Sequence, residues 1–485
     1  MFTLRSLAIL AVFAATALAS KQSSNDRELV VAIYGGGLAS ATLAQALKGS
    51  SNLNVQYFDP ALDLTPTSFR LFGFDPKVHD ALALVNEEAG GAIERSGWYP
   101  EEPSVVVVGQ GSDADTVVLD WAQLKNTTHH PQVTVVDPKP FLQQMLNGTD
   151  ESRLHPNKTL VSITRKDLSA KYPLELKFQD GSIQHADVLI GDDGPFGQMR
   201  SEVLGAKHPA NAPVFMNFLS AVAHVAPDDA EKLLGQKYGN RDLGRRFERV
   251  GMGSWFLNAY LEGFSTCLGS FYTEEAYDLS QFTRTTSVKE LTARFSNLNE
   301  ADNSQKILSG YSGLRLIPEI EHSPAPTYIN GLVAMQGNAA HFMTNFQQLG
   351  PSQQIEDAMI LGTLLRSAHS RADVEAALYA YDTVRRPRSQ WVSEHGKRLG
   401  WLWTGMVEDV GIDAKKLKKA MLQWKQDSEA FDLKAHKNEA VKIMKQTIKE
   451  RSGSEKIITQ EEKIKAGFQG LWEAMREKSG EQVEL

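Results

Sequence analysis

The stretch Val30–Leu47, VVAIYGGGLASATLAQAL, decides how the rest of the chain is read. Val30 to Tyr34 is short and wholly apolar, the pattern of a strand buried in a parallel sheet. Gly35, Gly36 and Gly37 follow at once, and Ala41 to Leu47 reads as a helix. A glycine turn between a buried strand and a helix leaves bare backbone N–H groups at a helix N-terminus, which suits a pyrophosphate. Gly35 would make the tight turn and Gly37 would let the phosphate approach. The third small position falls on Ser40, so the fingerprint reads G-x-G-x-x-S. Asp59 closes the next apolar run, Val55 to Phe58, where an acid can hold a ribose hydroxyl.

The whole chain sets the outer limits. Its 485 residues suffice for a large core and two intimately packed domains with an appendage. A net charge of −8, with no basic stripe, argues against nucleic acid as the main partner. Arg5, the apolar run Leu7 to Leu18 and the small-residue site Ala17-Leu18-Ala19 have the form of a secretion signal cleaved after Ala19. The expectation is a secreted or secretory-pathway protein with no transmembrane segment after cleavage. Three glycosylation sequons, at Asn126, Asn147 and Asn157, fit that route. Cys267 is the sole cysteine, so packing and cofactor, not a disulfide, must hold the fold.

Farther along, Ser104 to Gly109 and Thr116 to Trp121 read as a hairpin, and Leu174 to Phe178 with Ile183 to Ile190 as strand, turn and strand. Lys77 to Glu88 has helical spacing, and Pro140 to Leu146 is a short helix after a proline start. Val214 to His224 and Trp255 to Tyr260 belong to an antiparallel sheet able to wall a substrate pocket. Leu332 to Gln336 is another short buried strand, followed by a glycine and a helix from about Ser352 to Ser367. The tail beyond Trp401 is helical and charged, with Ile464, Phe468, Leu471, Trp472 and Met475 on one face.

Three glycine-bearing stretches therefore lie in order: the loop at Gly35, GDDGPFGQMR from Gly191 to Arg200, and GNAAHFMTNFQQLGPSQQIEDA from Gly337 to Ala358. Together they resemble the single-component FAD-dependent aromatic monooxygenases, the family of salicylate and para-hydroxybenzoate hydroxylases, and most nearly its fungal secondary-metabolite members. The family writes the second motif GADGxxSxVR and the third GDAAHxxxPxxGxGxxxxxED. The resemblance runs from Glu28 to about Arg388. It implies an α/β fold in which a Rossmann-like FAD-binding domain is interleaved with an antiparallel substrate sheet, plus a helical C-terminal region. The implied divisions are a signal peptide at 1–19, the first FAD-binding part with inserted sheet strands at 28–210, a substrate domain at 211–315, the second FAD-binding part at 316–400 and a helical region at 401–485.

The resemblance also implies site residues. Gly35, Gly37, Ser40 and Asp59 would hold the ADP half of FAD. Asp193 and Gly194 match the Asp-Gly pair tied to FAD and to NADPH or NADH, and Arg200 ends that motif. Asn338 stands where the family has an aspartate on the ribityl chain, keeping an oxygen acceptor without its charge. Lys139 takes the place of an arginine, Asn345 of a proline and Gln348 of a glycine, while Gly350 remains. Pro351 can donate no backbone N–H.

The activity implied is hydroxylation of a small aromatic or polyketide-like substrate with NAD(P)H and dioxygen. Tyr260 and His224 are the candidate groups for handling the substrate proton. No metal site or hydrolase elbow is present in the sequence. Two further readings stay open: an epoxidase or dehydrogenase of the same fold, and a non-catalytic relative holding a ligand in an altered flavin site.

Overall fold

A computed structural model describes residues 27–60, 71–124, 133–239, 241–261, 264–280, 283–299, 308 and 315–452. The leader, the sequon at Asn126 and the apolar stripe from Ile464 to Met475 lie outside them.

In chain order, the elements that matter are β1 (Leu29–Tyr34), α1 (Leu38–Leu47), β2 (Leu53–Asp59), β3 (Ser104–Val108), β4 (Val117–Asp120) and β5 (Val188–Gly191). Then come β6 (Pro213–Val225), α2 (Pro227–Tyr238), β7 (Arg246–Gly251), β8 (Ser254–Leu261), β9 (Phe264–Tyr272) and α3 (Val288–Arg294). The last are β10 (Arg315–His322), β11 (Val333–Met335), α4 (Gly350–Leu365), α5 (Arg371–Trp403) and α6 (Ala414–Glu429).

The first sheet has six strands in the order Ile329–Asn330, β11, β5, β1, β2, Leu154–Pro156. The pairings β11–β5, β5–β1 and β1–β2 are all parallel. Strands β1, β5 and β11 are apolar throughout because helices or sheet cover both of their faces. Helix α1 is buried on every side, since α4 packs over it. A side chain at Gly362 would strike Ala46, so that glycine sets how near the two helices come.

The second sheet has eight strands in the order Arg284–Thr285, β10, β6, β9, β8, β7, β3, β4. It is antiparallel except where β3 runs parallel to β7. Its two faces have separate cores. Val105, Ala221, Phe256, Tyr260 and Cys267 pack under α2 and α3. Val106, Trp255 and Leu257 pack against Leu399, Leu402 and Trp403 of α5 and Leu417 of α6.

The structure departs from the sequence reading in three places. The run Ile183 to Ile190 is two strands. Ile183–Ala186 pairs antiparallel with Leu174–Phe178, while β5 leaves for the parallel sheet. The division falls at Asp187, a buried carboxylate that accepts from Arg27 (2.7 Å to each oxygen), Arg371 Nε (2.9 Å) and the Val30 N–H (2.9 Å). The helix expected over Lys77 to Glu88 breaks at Asn86, whose side chain caps a new turn by accepting from the Ala89 N–H. Leu174–Phe178 and Ile183–Ala186 join a small sheet with Leu160–Arg165.

Helices α4 and α5 are joined by charge. Arg385 of α5 is fully buried; it donates to Asp357 Oδ1 (2.8 Å) and to Glu356. Asp357 Oδ2 accepts from His341 Nε2 (2.6 Å) and from the Gly337 N–H (2.9 Å). Burial alone would raise the Asp357 carboxyl, but His341 and Arg385 override it and hold its pKa down at about 2. Removing one member of such a set leaves buried charge uncompensated, at a cost of roughly 3–5 kcal/mol. Arg385→Leu is accordingly expected to destabilise the chain by about that amount in urea unfolding near neutral pH. Because the Asp357 pKa is depressed, its contribution is full above the unfolded carboxylate range. It is lost as pH falls toward about 2.

Candidate active site

Strands β11, β5, β1 and β2 are successive neighbours, so the turns at their C-terminal ends stand side by side. The Gly35 N–H donates to Phe58 O (2.8 Å), the Asp192 N–H to Tyr34 O (2.8 Å) and the Gln336 N–H to Gly191 O (2.9 Å). These bonds carry the sheet into the turns. Gly35 has φ +118°, and a side chain there would run into the backbone of Asp192. A Cβ on Gly36 would strike the Asp59 carboxylate, so this acid lies directly on the glycine turn. A Cβ on Gly37 would stand 2.7 Å, and one on Gly337 2.6 Å, from Asp192 Oδ2. Gly37 is the N-cap of α1 and carries no side-chain cap, leaving that helix end open to an anion.

The second motif is held from inside. Asp193 Oδ2 accepts from the N–H groups of Gln198 (2.7 Å) and Met199 (3.0 Å), closing the turn that contains Gly194 at φ +83°. Burial raises the Asp193 pKa, and those two N–H groups counter it. Arg200 is buried and, among the described residues, donates only to backbone carbonyls: Ala210, Ala339 (3.2 Å), Ala340 (2.6 Å) and Ser323 (2.7 Å). Burial lowers its pKa to about 10. This arginine thus ties the second motif to the third.

In the third motif, the Asn338 N–H donates to Asp192 Oδ1 (2.9 Å), and the Asn338 side chain is half-buried. Gln348 adopts φ +55°, the left-handed conformation that a glycine takes without strain. Its side chain lies over Gly73. Gly350 starts α4, and Pro351 falls in its first turn. A proline there gives up an N–H that has no partner within the helix, so the helix itself loses nothing. What is lost is one donor at an N-terminus that again has no side-chain cap.

The residues present fit FAD. Three features agree: a glycine cradle that a Cβ would fill, an acid against it, and two uncapped helix ends. Buried polar atoms that lack a hydrogen-bond partner among the described residues gather at the same turns: Asp192 Oδ2, Ser40 Oγ and both side-chain atoms of Gln336. Unpaired buried polar atoms are costly, and a bound polar ligand relieves that cost.

The two candidate proton-handling residues lie apart. Tyr260 belongs to the face under α2 and donates to Gly239 O (2.5 Å); burial raises its pKa. His224 lies on the opposite face, with Nδ1 3.2 Å from Thr266 Oγ1, and burial lowers its pKa. That face also carries a group the sequence reading did not single out. Glu319 of β10 accepts from Ser220 Oγ (3.0 Å) and from the Asn345 N–H (3.0 Å), and Ser220 shares a hydrogen bond with Ser270 (2.7 Å). Burial raises the Glu319 pKa. An acid within the apolar alternation of β10 was the available signal. Beside it, Phe346 stands edge-on to Phe218 and Trp255. His224 is four residues beyond Ser220, roughly 13 Å along the strand. Asn147 and Asn157 are both exposed. Among the described residues no cluster of three metal-capable side chains occurs, and no helix is long and apolar enough to cross a membrane.

No family model matches the chain. The 6-methylsalicylate 1-monooxygenase of Aspergillus terreus is 28% identical over 421 residues, which is 80% of this chain and 92% of that protein. An FAD-dependent monooxygenase of Monascus ruber is 27% identical over 425 residues, 81% of this chain and 92% of its own. Among solved structures, a salicylate hydroxylase in its substrate complex has a TM-score of 0.73 at 22% identity, covering 85% of this chain and 98% of that one.

Gly36→Ala is expected to push the Asp59 carboxylate off the glycine turn. FAD affinity should fall by about 1–3 kcal/mol, roughly five- to 150-fold, in a flavin-fluorescence titration, with the fold retained by circular dichroism.

Proposed function

We propose that this chain, a relative of the fungal FAD-dependent monooxygenases with the fold of salicylate hydroxylase, hydroxylates a small aromatic or polyketide-like substrate in a secondary-metabolite pathway. The observation that carries the reading is the meeting of three distant turns on adjacent parallel strands, with Asp59 on the fourth. The open end of α1 and the Gly35–Gly37 turn would receive the pyrophosphate, and Asp59 a ribose hydroxyl. Asn338 would meet the ribityl chain with an amide. Bound FAD, reduced by NADPH or NADH, would supply the activation of dioxygen.

This chain's own residues must then keep water out and handle a proton. Phe218, Trp255 and Phe346 give an apolar wall between the second sheet and the third motif. Glu319, with Ser220 and Ser270, is a titratable group beside that wall, and its bond to the Asn345 N–H fixes the turn above it. The leader and the sequons support entry into the secretory pathway.

Two measurements test the reading. With a panel of phenolic acids, NAD(P)H and ¹⁸O₂, one labelled oxygen should appear in the product by mass spectrometry. Turnover that leaves the product unlabelled would instead mean a dehydrogenase, and a protein that stays colourless at saturating FAD would mean a non-catalytic relative. Secretion is checked by expression in a fungal host. The protein should appear in the medium or endomembranes and shift in mass on glycosidase treatment, whereas an unprocessed cytosolic chain would end that part of the proposal.

A further inference from the structure

Asp192 touches all three turns: its backbone lies against Gly35 and its carboxyl against Gly37 and Gly337. It is 4% exposed. Its Oδ1 accepts from the Asn338 N–H, and its Oδ2 has no hydrogen-bond partner among the described residues. That free oxygen is wedged between Gly37, the N-cap of α1, and Gly337, close to where a Cβ on either would stand. Among the described residues no cation is bonded to it. The family pattern has alanine at this position. An ionised carboxylate here would face the two negative charges of a pyrophosphate at the same helix end, whereas a neutral carboxyl would present a donor.

Resting on the flavin reading above, we propose that the Asp192 carboxyl is part of the cofactor cradle and holds the FAD pyrophosphate in its protonated form, so that FAD uptake above neutrality carries one proton from solvent with it. Oδ1 keeps the Asn338 N–H, and the proton on Oδ2 is the donor. Burial, then the neighbouring Asp193, push the Asp192 pKa up to about 7. The other titratable groups that act on it are Asp357 of α4, with its partner His341, and Tyr57 of β2, while Asp59 of β2 lies one glycine away against Gly36. Asp357 is held down at about 2 by His341 and Arg385 despite its burial, so it stays ionised throughout the range that matters. Added phosphate charge raises the Asp192 pKa further, which is the sign needed: binding is tightest when the proton is already present and weakens as pH rises.

The test is an FAD titration of the full chain, stripped of flavin, from about pH 6 to about pH 8.5, by quenching of flavin fluorescence. Wild type should weaken by about tenfold or more across the range, and Asp192→Asn, whose amide donates at every pH, should vary by no more than about twofold. Calorimetry of the wild type at about pH 8, in two buffers of different ionisation heat, should show uptake of up to one proton per FAD and does not depend on the variant folding. A flat wild-type profile with no proton uptake overturns this inference and leaves the flavin reading standing, as does Asp192→Asn keeping the wild-type slope. Failure of both proteins to take up FAD at any pH overturns the inference together with that reading.

Discussion

Asp357 of α4 holds two other pieces of the chain at once, α5 and the short helix Gly337–His341. Its carboxylate, near the end of the third motif, accepts from Arg385 on α5 and from His341 and the N–H of Gly337, both at that motif's start. Gly337 is also one wall of the slot occupied by Asp192. That carboxylate adds to the ties that hold the third turn against the first two, which include Arg200 on the carbonyls of Ala339 and Ala340 and the Asn338 N–H on Asp192. Such a charge is tolerable only because Arg385 and His341 satisfy it inside the protein. Arg200 works in the opposite sense: a buried cation with no carboxylate bonded to it among the described residues, met by the dipoles of backbone carbonyls from the second motif's flank, the third motif and the residue after β10.

The parallel sheet turns that local clamp into a site. Its strand order places β11, β5, β1 and β2 next to one another, though they are far apart in sequence. All four point the same way, so every C-terminal turn opens onto one crevice, the usual location of ligands in open α/β sheets. The second sheet contributes a wall. Period-two alternation divides its side chains between an outer core under α2 and α3 and an inner face toward the third motif. That division separates Tyr260 from Glu319.

Several motif departures find a use in the fold. Gln348 keeps the left-handed turn of a glycine and fills space over Gly73. Pro351 occupies a helix position where its missing N–H costs the helix no bond. Asn338 lacks the family's negative charge, and a carboxyl stands instead one turn away at Asp192, bonded to the Asn338 backbone. The carboxyl at these turns is displaced from the third motif to the second.

Much was decided by local sequence. The strand Leu29–Tyr34, the glycine turn and Asp59 at a strand end follow from short-range rules of burial period, turn chemistry and helix ends, so a nucleotide-binding α/β unit was legible before any coordinates, and the resemblance carried by the three motifs in order implied FAD. Tertiary structure decided what depends on partners distant in the chain. The break at Asp187 needs Arg27 and Arg371, the role of Tyr260 needs the carbonyl of Gly239, and the charge state of Asp192 needs Asp193, Gly37 and Gly337 at close range. A residue type announces what chemistry it can do; desolvation and neighbouring charge, which exist only once the chain is packed, determine which of those it does.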